Sequence, residues 1–153
     1  MRHLLAIVLL PGTVALVIPA LIVWAGGAQI EPVTAVIGAL LIGIGLAVVA
    51  WTVWLFARIG RGTLAPWDPT SRLVVSGPYR YVRNPMITGV GTILAGQALF
   101  FRSSGIAIEL AVFALVNAIY FPLVEEPGLR RRFGAEYEEY CARVPRWLPR
   151  VRL

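Results

Sequence analysis

Charge is scarce in this sequence. Only 14% of its 153 residues are charged, against about a quarter in ordinary soluble domains. Cysteine and histidine occur once each, as Cys141 and His3. A lone cysteine excludes a disulfide framework, and with a single histidine the ligand set for structural zinc is missing, so no metal is expected. His3 reads as a surface residue rather than a base, and Cys141 as a thiol that packs between helices. Lysine is absent, and every basic residue is arginine. No G-x-G-x-x-G on a strand–helix unit occurs, which argues against a nicotinamide-dependent membrane reductase.

What is present is apolar. Hydrophobic residues make up 58% of the chain, and the mean hydropathy is +0.76. The net charge is +6 and the pI about 10.4. In a soluble protein that balance would point to nucleic acid. Here the arginines lie outside the apolar runs, which suits an inner-leaflet membrane surface, and no nucleic-acid partner is expected.

Four apolar stretches follow one another, at about residues 4–24, 33–57, 85–101 and 106–124. The first holds Pro11, Gly12 and Pro19, which a membrane tolerates. It exceeds a signal-peptide core and lacks a clean cleavage site before Glu31, so it reads as a retained span. The second is uncharged for more than the ~20 residues a crossing needs. Its Ala39, Gly43 and Ala47 form a small-residue stripe, read as a packing seam within or between chains. The third is a short crossing of roughly 25 Å. Glu109 and Asn117 interrupt the fourth, and polar groups at such depth face protein rather than lipid.

Arginine placement sets the orientation. The Arg58–Arg83 loop and the tail carry nearly all of them, whereas the Ala25–Pro32 loop has none. The positive-inside tendency then puts both termini, the central loop and the tail in the cytoplasm, as in a bacterial inner membrane. The expected fold is an all-α integral membrane protein. It is one domain, 1–153, with four transmembrane helices, a cytosolic loop and a cytosolic tail, 125–153, carrying an amphipathic C-terminal helix. On that helix Phe133, Tyr137 and Tyr140 share a face. Arg132–Glu136 and Glu139–Arg143 make solvated i,i+4 pairs, and Trp147 suits an interfacial anchor.

This topology brings two motifs to one membrane face: "GPYRYVRNP", Gly77 to Pro85, and Glu125-Glu126 at the end of the fourth span. Asn84-Pro85 reads as a helix start, Asn as N-cap and Pro at the first position. The same helix end offers N–H groups and partial positive charge to a carboxylate or phosphate, reinforced by Arg80 and Arg83. Tyr79 and Tyr81, two apart, lie on the same side of an extended segment, as belt aromatics or as pocket walls. Glu125 and Glu126 read either as solvated boundary charges or as acceptors for ribose hydroxyls or a cationic ligand.

"SGPYRYVRNPMITGVG", followed some forty residues later by "EEPGLRRRFGAEYEEYCARVPRWLP", resembles the isoprenylcysteine carboxyl methyltransferase family and its relatives among membrane phospholipid methyltransferases. The resemblance covers roughly Thr63 to Pro149. It implies an integral-membrane methyltransferase that uses S-adenosylmethionine on a lipid or prenylated acceptor. It implies cofactor contacts at Ser71, Arg72, Leu73 and Val74, at Tyr79, at Asn84, Pro85, Met86 and Ile87, and at Glu125. Arg83 and Asn84 would stand at the reacting centre and Glu126 toward the substrate. Three positions depart from the pattern. Asn84 replaces a histidine, Ile87 a tyrosine and Phe121 a substrate-contacting arginine. Asparagine exchanges hydrogen bonds but does not titrate near neutrality. A non-catalytic membrane protein of the same fold is the rival reading, and a phospholipid amine the alternative acceptor.

Overall fold

The computed structural model describes residues 8–60 and 72–147. His3, Ser71, residues 4–7 of the expected first span and residues 61–71 of the central loop lie outside them. Among the described residues every regular element is helical. A π-helical segment, Val8–Val17, leads into α1 (Ile18–Gly26). Helix α2 (Pro32–Leu55) continues into a π segment, Phe56–Gly60. After the central loop come a 3-10 turn, Gly77–Arg80, and α3 (Pro85–Phe100). Helix α4 (Ser104–Tyr120) runs through a π segment, Phe121–Glu125, into α5 (Glu126–Phe133), and α6 (Ala135–Arg143) follows.

Local chemistry sets these boundaries. Pro32 occupies the first turn of α2, where its missing N–H costs nothing. The Glu31 carboxylate caps that turn, accepting from Val33 N at 3.2 Å and Thr34 N at 2.9 Å. Ser103 Oγ caps α4 by accepting from Ile106 N at 3.3 Å. The segment Pro32–Ile59, 28 residues, and Ser104–Phe133, 30 residues, are long and apolar enough to cross a bilayer. Each spans at least about 42 Å at 1.5 Å per residue. Gly12–Gly26 and Pro85–Phe100 are shorter apolar helices. Large apolar side chains such as Leu40, Ile44, Trp54, Leu115 and Ile119 point outward, an apolar surface of the kind that marks a membrane or partner contact.

The principal seam joins α2 to α3, and it is not the expected stripe. Ala39, Gly43 and Ala47 are exposed, and a Cβ on Gly43 would meet nothing within 4 Å. The seam runs instead along Gly38, Gly45 and Thr52, all buried and seven residues apart. A Cβ on Gly38 would stand 2.6 Å from Gly96 O, and one on Gly45 would stand 2.7 Å from Gly89 O. The helices are therefore antiparallel with backbones in contact, which only glycine permits. One residue's shift is about 100° around a helix, enough to move a stripe from the seam to lipid.

Helix α3 is central. It packs on α2, on α4 and on the N-terminal π segment. Val90, Ile93 and Leu94 are buried with Ile106 and Ala15, and Gln97 Nε2 donates to Ala15 O at 2.9 Å. At the other end of the α2 seam, Leu55 packs against Val74 and Tyr79. Gly77, at φ +59°, keeps Leu55 and Trp51 close, since a Cβ there would lie 2.8 Å from Leu55 Cδ1. The apolar seam thus ends by seating the charged loop.

The amphipathic C-terminal helix is two helices, separated by Gly134 at φ +53°. A left-handed residue stops one helix and lets the next start at a new angle. The aromatic face survives the break. Tyr137, Tyr140 and Val144 are buried together, with Leu129, Phe133 and Leu73 packed against them. Glu139 and Arg143 form the expected exposed pair at 3.1 Å.

Candidate functional site

Tyr79 is buried and meets Phe56 edge-on, ring centroids 5.6 Å apart. Tyr81 is 64% exposed. The two do not share a side, because residues 77–80 form a 3-10 turn and not an extended segment. With three residues per turn, positions two apart point in different directions.

The loop and the tail are joined by hydrogen bonds. Tyr140 Oη donates to Tyr79 O at 2.7 Å, fully buried. Arg83 N donates to Pro145 O at 2.9 Å. Arg83 Nη1 donates to Glu126 Oε1 and to Cys141 Sγ, both at 3.0 Å. Arg146 meets the same carboxylate with two bonds, Nε to Oε1 at 2.6 Å and Nη2 to Oε2 at 3.0 Å. Glu126 is 3% exposed. Both its oxygens are engaged by guanidinium groups, a charge-assisted arrangement about twice as strong per bond as neutral hydrogen bonds.

Burial pushes the Tyr79 hydroxyl well above its ordinary value, and the charges of Tyr140 and Glu125 push the same way. Burial does the same for Tyr137, aided by its bond with Cys141, and for Tyr140, aided by Tyr137. The hydrogen bond with Glu126 raises Arg146 further. The three tyrosines hold their protons more tightly folded than unfolded. Their contribution to stability is present below about pH 10 and is lost as pH rises through the raised values. Phenolate absorbance during an alkaline titration should therefore show three of the five tyrosines ionising only as the tail detaches. Ionisation of all three near pH 10 with the helical signal intact would contradict their burial.

The other sequence-derived positions differ in burial. Arg72 is exposed, Leu73 is half-buried on the tyrosine cluster, and Val74 is buried beside Tyr79. Asn84 occupies the N-cap position of α3, and Pro85 is buried at the first position. The Asn84 side chain caps no N–H, at φ −127° and ψ 58°. Its carbonyl accepts from Thr88 N at 3.1 Å. Met86 and Ile87 are half-buried in the first turn, and Glu125 is half-buried one residue before Glu126. Trp147, expected as an interfacial anchor, packs on Phe121, ring centroids 5.4 Å apart. Phe121 in turn meets Tyr120 at 6.1 Å.

Two polar atoms in this region are buried without a hydrogen-bond partner among the described residues: Arg83 Nε and Ser76 Oγ. Sequence reading missed Ser76 and Arg146. Arg146 is one arginine among several in a basic tail, and no spacing marks it. Ser76 sits in the quoted motif, but nothing in its spacing marks its hydroxyl as buried.

The family model of phospholipid methyltransferases matches residues 33–136. That is more than half of the chain. The match begins in the first turn of α2, contains Tyr79, Arg83, Glu125 and Glu126, and ends at the start of α6. No curated protein matches the chain.

Proposed function

The chain belongs to the phospholipid methyltransferase family, and from that premise we propose an integral-membrane enzyme that uses S-adenosylmethionine to methylate a lipid-embedded acceptor. The whole chain, 1–153, serves as one domain. The shorter apolar helices Gly12–Gly26 and Pro85–Phe100 add two crossings to the two long ones, giving four. Both termini, the central loop and the tail then lie on the cytoplasmic side of a bacterial inner membrane, in keeping with the arginine distribution.

The observation that carries this reading is the meeting of the 79–83 segment with Glu126 and the tail, alongside donors that no described residue uses. Arg83 Nε and Ser76 Oγ are buried and unbonded, and buried polar groups in native proteins find partners. A nucleoside with a charged amino-acid end fits such a set. Leu73, Val74, Tyr79, the first-turn backbone at Met86 and Ile87, and Glu125 would hold it, with Ser71 and Arg72 leading in. S-adenosylmethionine, when bound, supplies a methyl group already activated by its sulfonium charge. The chain therefore has to align the acceptor and exclude water rather than generate a strong base. Asn84 fits that role, since it hydrogen-bonds without titrating.

The acceptor is a lipid thiol carboxylate of the isoprenylcysteine kind or the amine of a phospholipid. The amine reading gains support from aromatic packing. Phe121, packed by Trp147, stands one turn before the half-buried Glu125. Aromatic faces and a carboxylate suit an amine or ammonium. Mass spectrometry of lipids after incubation with isotope-labelled S-adenosylmethionine tests it: label on an amine headgroup is expected, and label on a prenylcysteine ester would reverse the assignment.

Calorimetry in detergent tests the cofactor. Wild type should bind S-adenosylhomocysteine, and Glu125→Ala should bind at least about tenfold more weakly, a loss of ~1.4 kcal/mol. Undiminished binding in Glu125→Ala would remove that residue from the site. A folded wild type that binds nothing would leave the non-catalytic reading in place.

A further inference from the structure

Arg146 lies far from Arg83 in sequence, and the two share one carboxylate. Arg83 Nη1 donates to Glu126 Oε1, and Arg146 takes both oxygens of the same group. The bidentate contact stops the Glu126 carboxylate from rotating. Arg83 Nη1 is thereby tied to a fixed point, with Cys141 Sγ as its second acceptor at 3.0 Å. The backbone reinforces this, because Arg83 N donates to Pro145 O, the residue before Arg146. The Arg83 side chain is 13% exposed. Yet its Nε is buried with no acceptor among the described residues. An unmet donor on a buried cation costs more than the about 1–3 kcal/mol of a neutral one. Charge points the same way: one carboxylate faces two guanidiniums, leaving an excess of one positive charge in a poorly solvated place.

We propose that Arg146 is a positioning residue which, acting through Glu126, holds Arg83 so that its free Nε edge receives an oxyanion of the bound ligand. The oxyanion is the carboxylate of the cofactor or the phosphate of a lipid headgroup. The inference rests on the methyltransferase reading for its choice of ligands, and the experiment separates the two. Binding is measured for two matched pairs, each with and without the oxyanion. S-adenosylhomocysteine is set against methylthioadenosine, which lacks the amino-acid end. Dihexanoylphosphatidylethanolamine is set against dihexanoylglycerol, which lacks phosphate.

In Arg146→Gln the oxyanion-bearing member of one pair should bind at least tenfold more weakly, with its bare counterpart changed less than about twofold. Arg146→Lys, which keeps the charge but not the fork, should fall between. Arg83→Gln should lose the same ligand, and the double variant should be little worse than either single one, because the two act as one unit. Loss in the first pair assigns the oxyanion to the cofactor and loss in the second to the lipid. Equal weakening of both members of each pair would mean a merely structural role and overturn the proposal, as would no change in either pair. A wild type that binds the lipids but neither nucleoside removes the methyltransferase reading, while the lipid pair still decides the role of Arg146. Hydrogen exchange in residues 32–55, 85–100 and 135–147, unchanged from wild type, verifies that each variant is folded with its tail in place.

Discussion

Gly96→Val is expected to prevent stable assembly of the helix bundle. A Cβ on Gly96 would lie 2.6 Å from Gly38 O and 2.8 Å from Ile42 N. Both are backbone atoms, so no rotamer change relieves the clash. Overpacking of a core usually costs about 1–3 kcal/mol, and here α2 and α3 must move apart as whole helices, so the upper end or more is expected. The effect reaches the site, because α3 carries Asn84 and Pro85 at its start and the same seam ends on Leu55, Val74 and Tyr79. Thermal unfolding in detergent, followed by circular dichroism, checks it. Gly43→Val provides the comparison: it lies on the outward face with nothing within 4 Å, and should stay within about 0.5 kcal/mol of wild type. A wild-type midpoint for Gly96→Val would refute the close backbone crossing.

Glu126→Ala is expected to release the C-terminal segment. The substitution leaves Arg83 and Arg146, with side chains 13% and 33% exposed, facing each other without the carboxylate between them. Breaking a buried ion pair by removing one partner costs about 3–5 kcal/mol. The exposure of Arg146 moves the expectation to the lower end. Much of the cost is local, so hydrogen exchange should accelerate across 135–147 while α2 and α3 keep their protection. Adding Arg146→Met to Glu126→Met should recover part of the loss by removing one unpaired cation. Exchange in 135–147 that stays at the wild-type rate in Glu126→Ala would show that Tyr140, Val144 and their apolar neighbours hold the tail unaided.

Period and composition made much of this legible. A charge-free run of the length of α2 has few destinations other than a bilayer. Proline at a first helical position, as at Asn84-Pro85, marks a helix start wherever it falls, even where the residue before it caps no N–H with its side chain. The aromatic spacing of Phe133, Tyr137 and Tyr140 survived even a helix break at Gly134. Such features depend on near neighbours in the chain, and near neighbours are what a sequence displays.

Other features depended on which side of a helix meets another. Ala39, Gly43 and Ala47 form as regular a small-residue stripe as Gly38 and Gly45, and only the position of α3 chooses between them. Glu125 and Glu126 are adjacent carboxylates of equal chemistry. A rotation of about 100° between them turns Glu126 onto two arginines and leaves Glu125 half-buried. Arg146 became a candidate for the site in the same way, through a contact that spans twenty residues to Glu126. The sequence by itself determined that this chain is helical, that it suits a membrane, and where its charged motifs lie. The tertiary structure decided which glycines touch, which glutamate is clasped and which arginine does the clasping. Those outcomes are set by helix rotation and long-range packing, and neither is encoded in the spacing of neighbours along one helix.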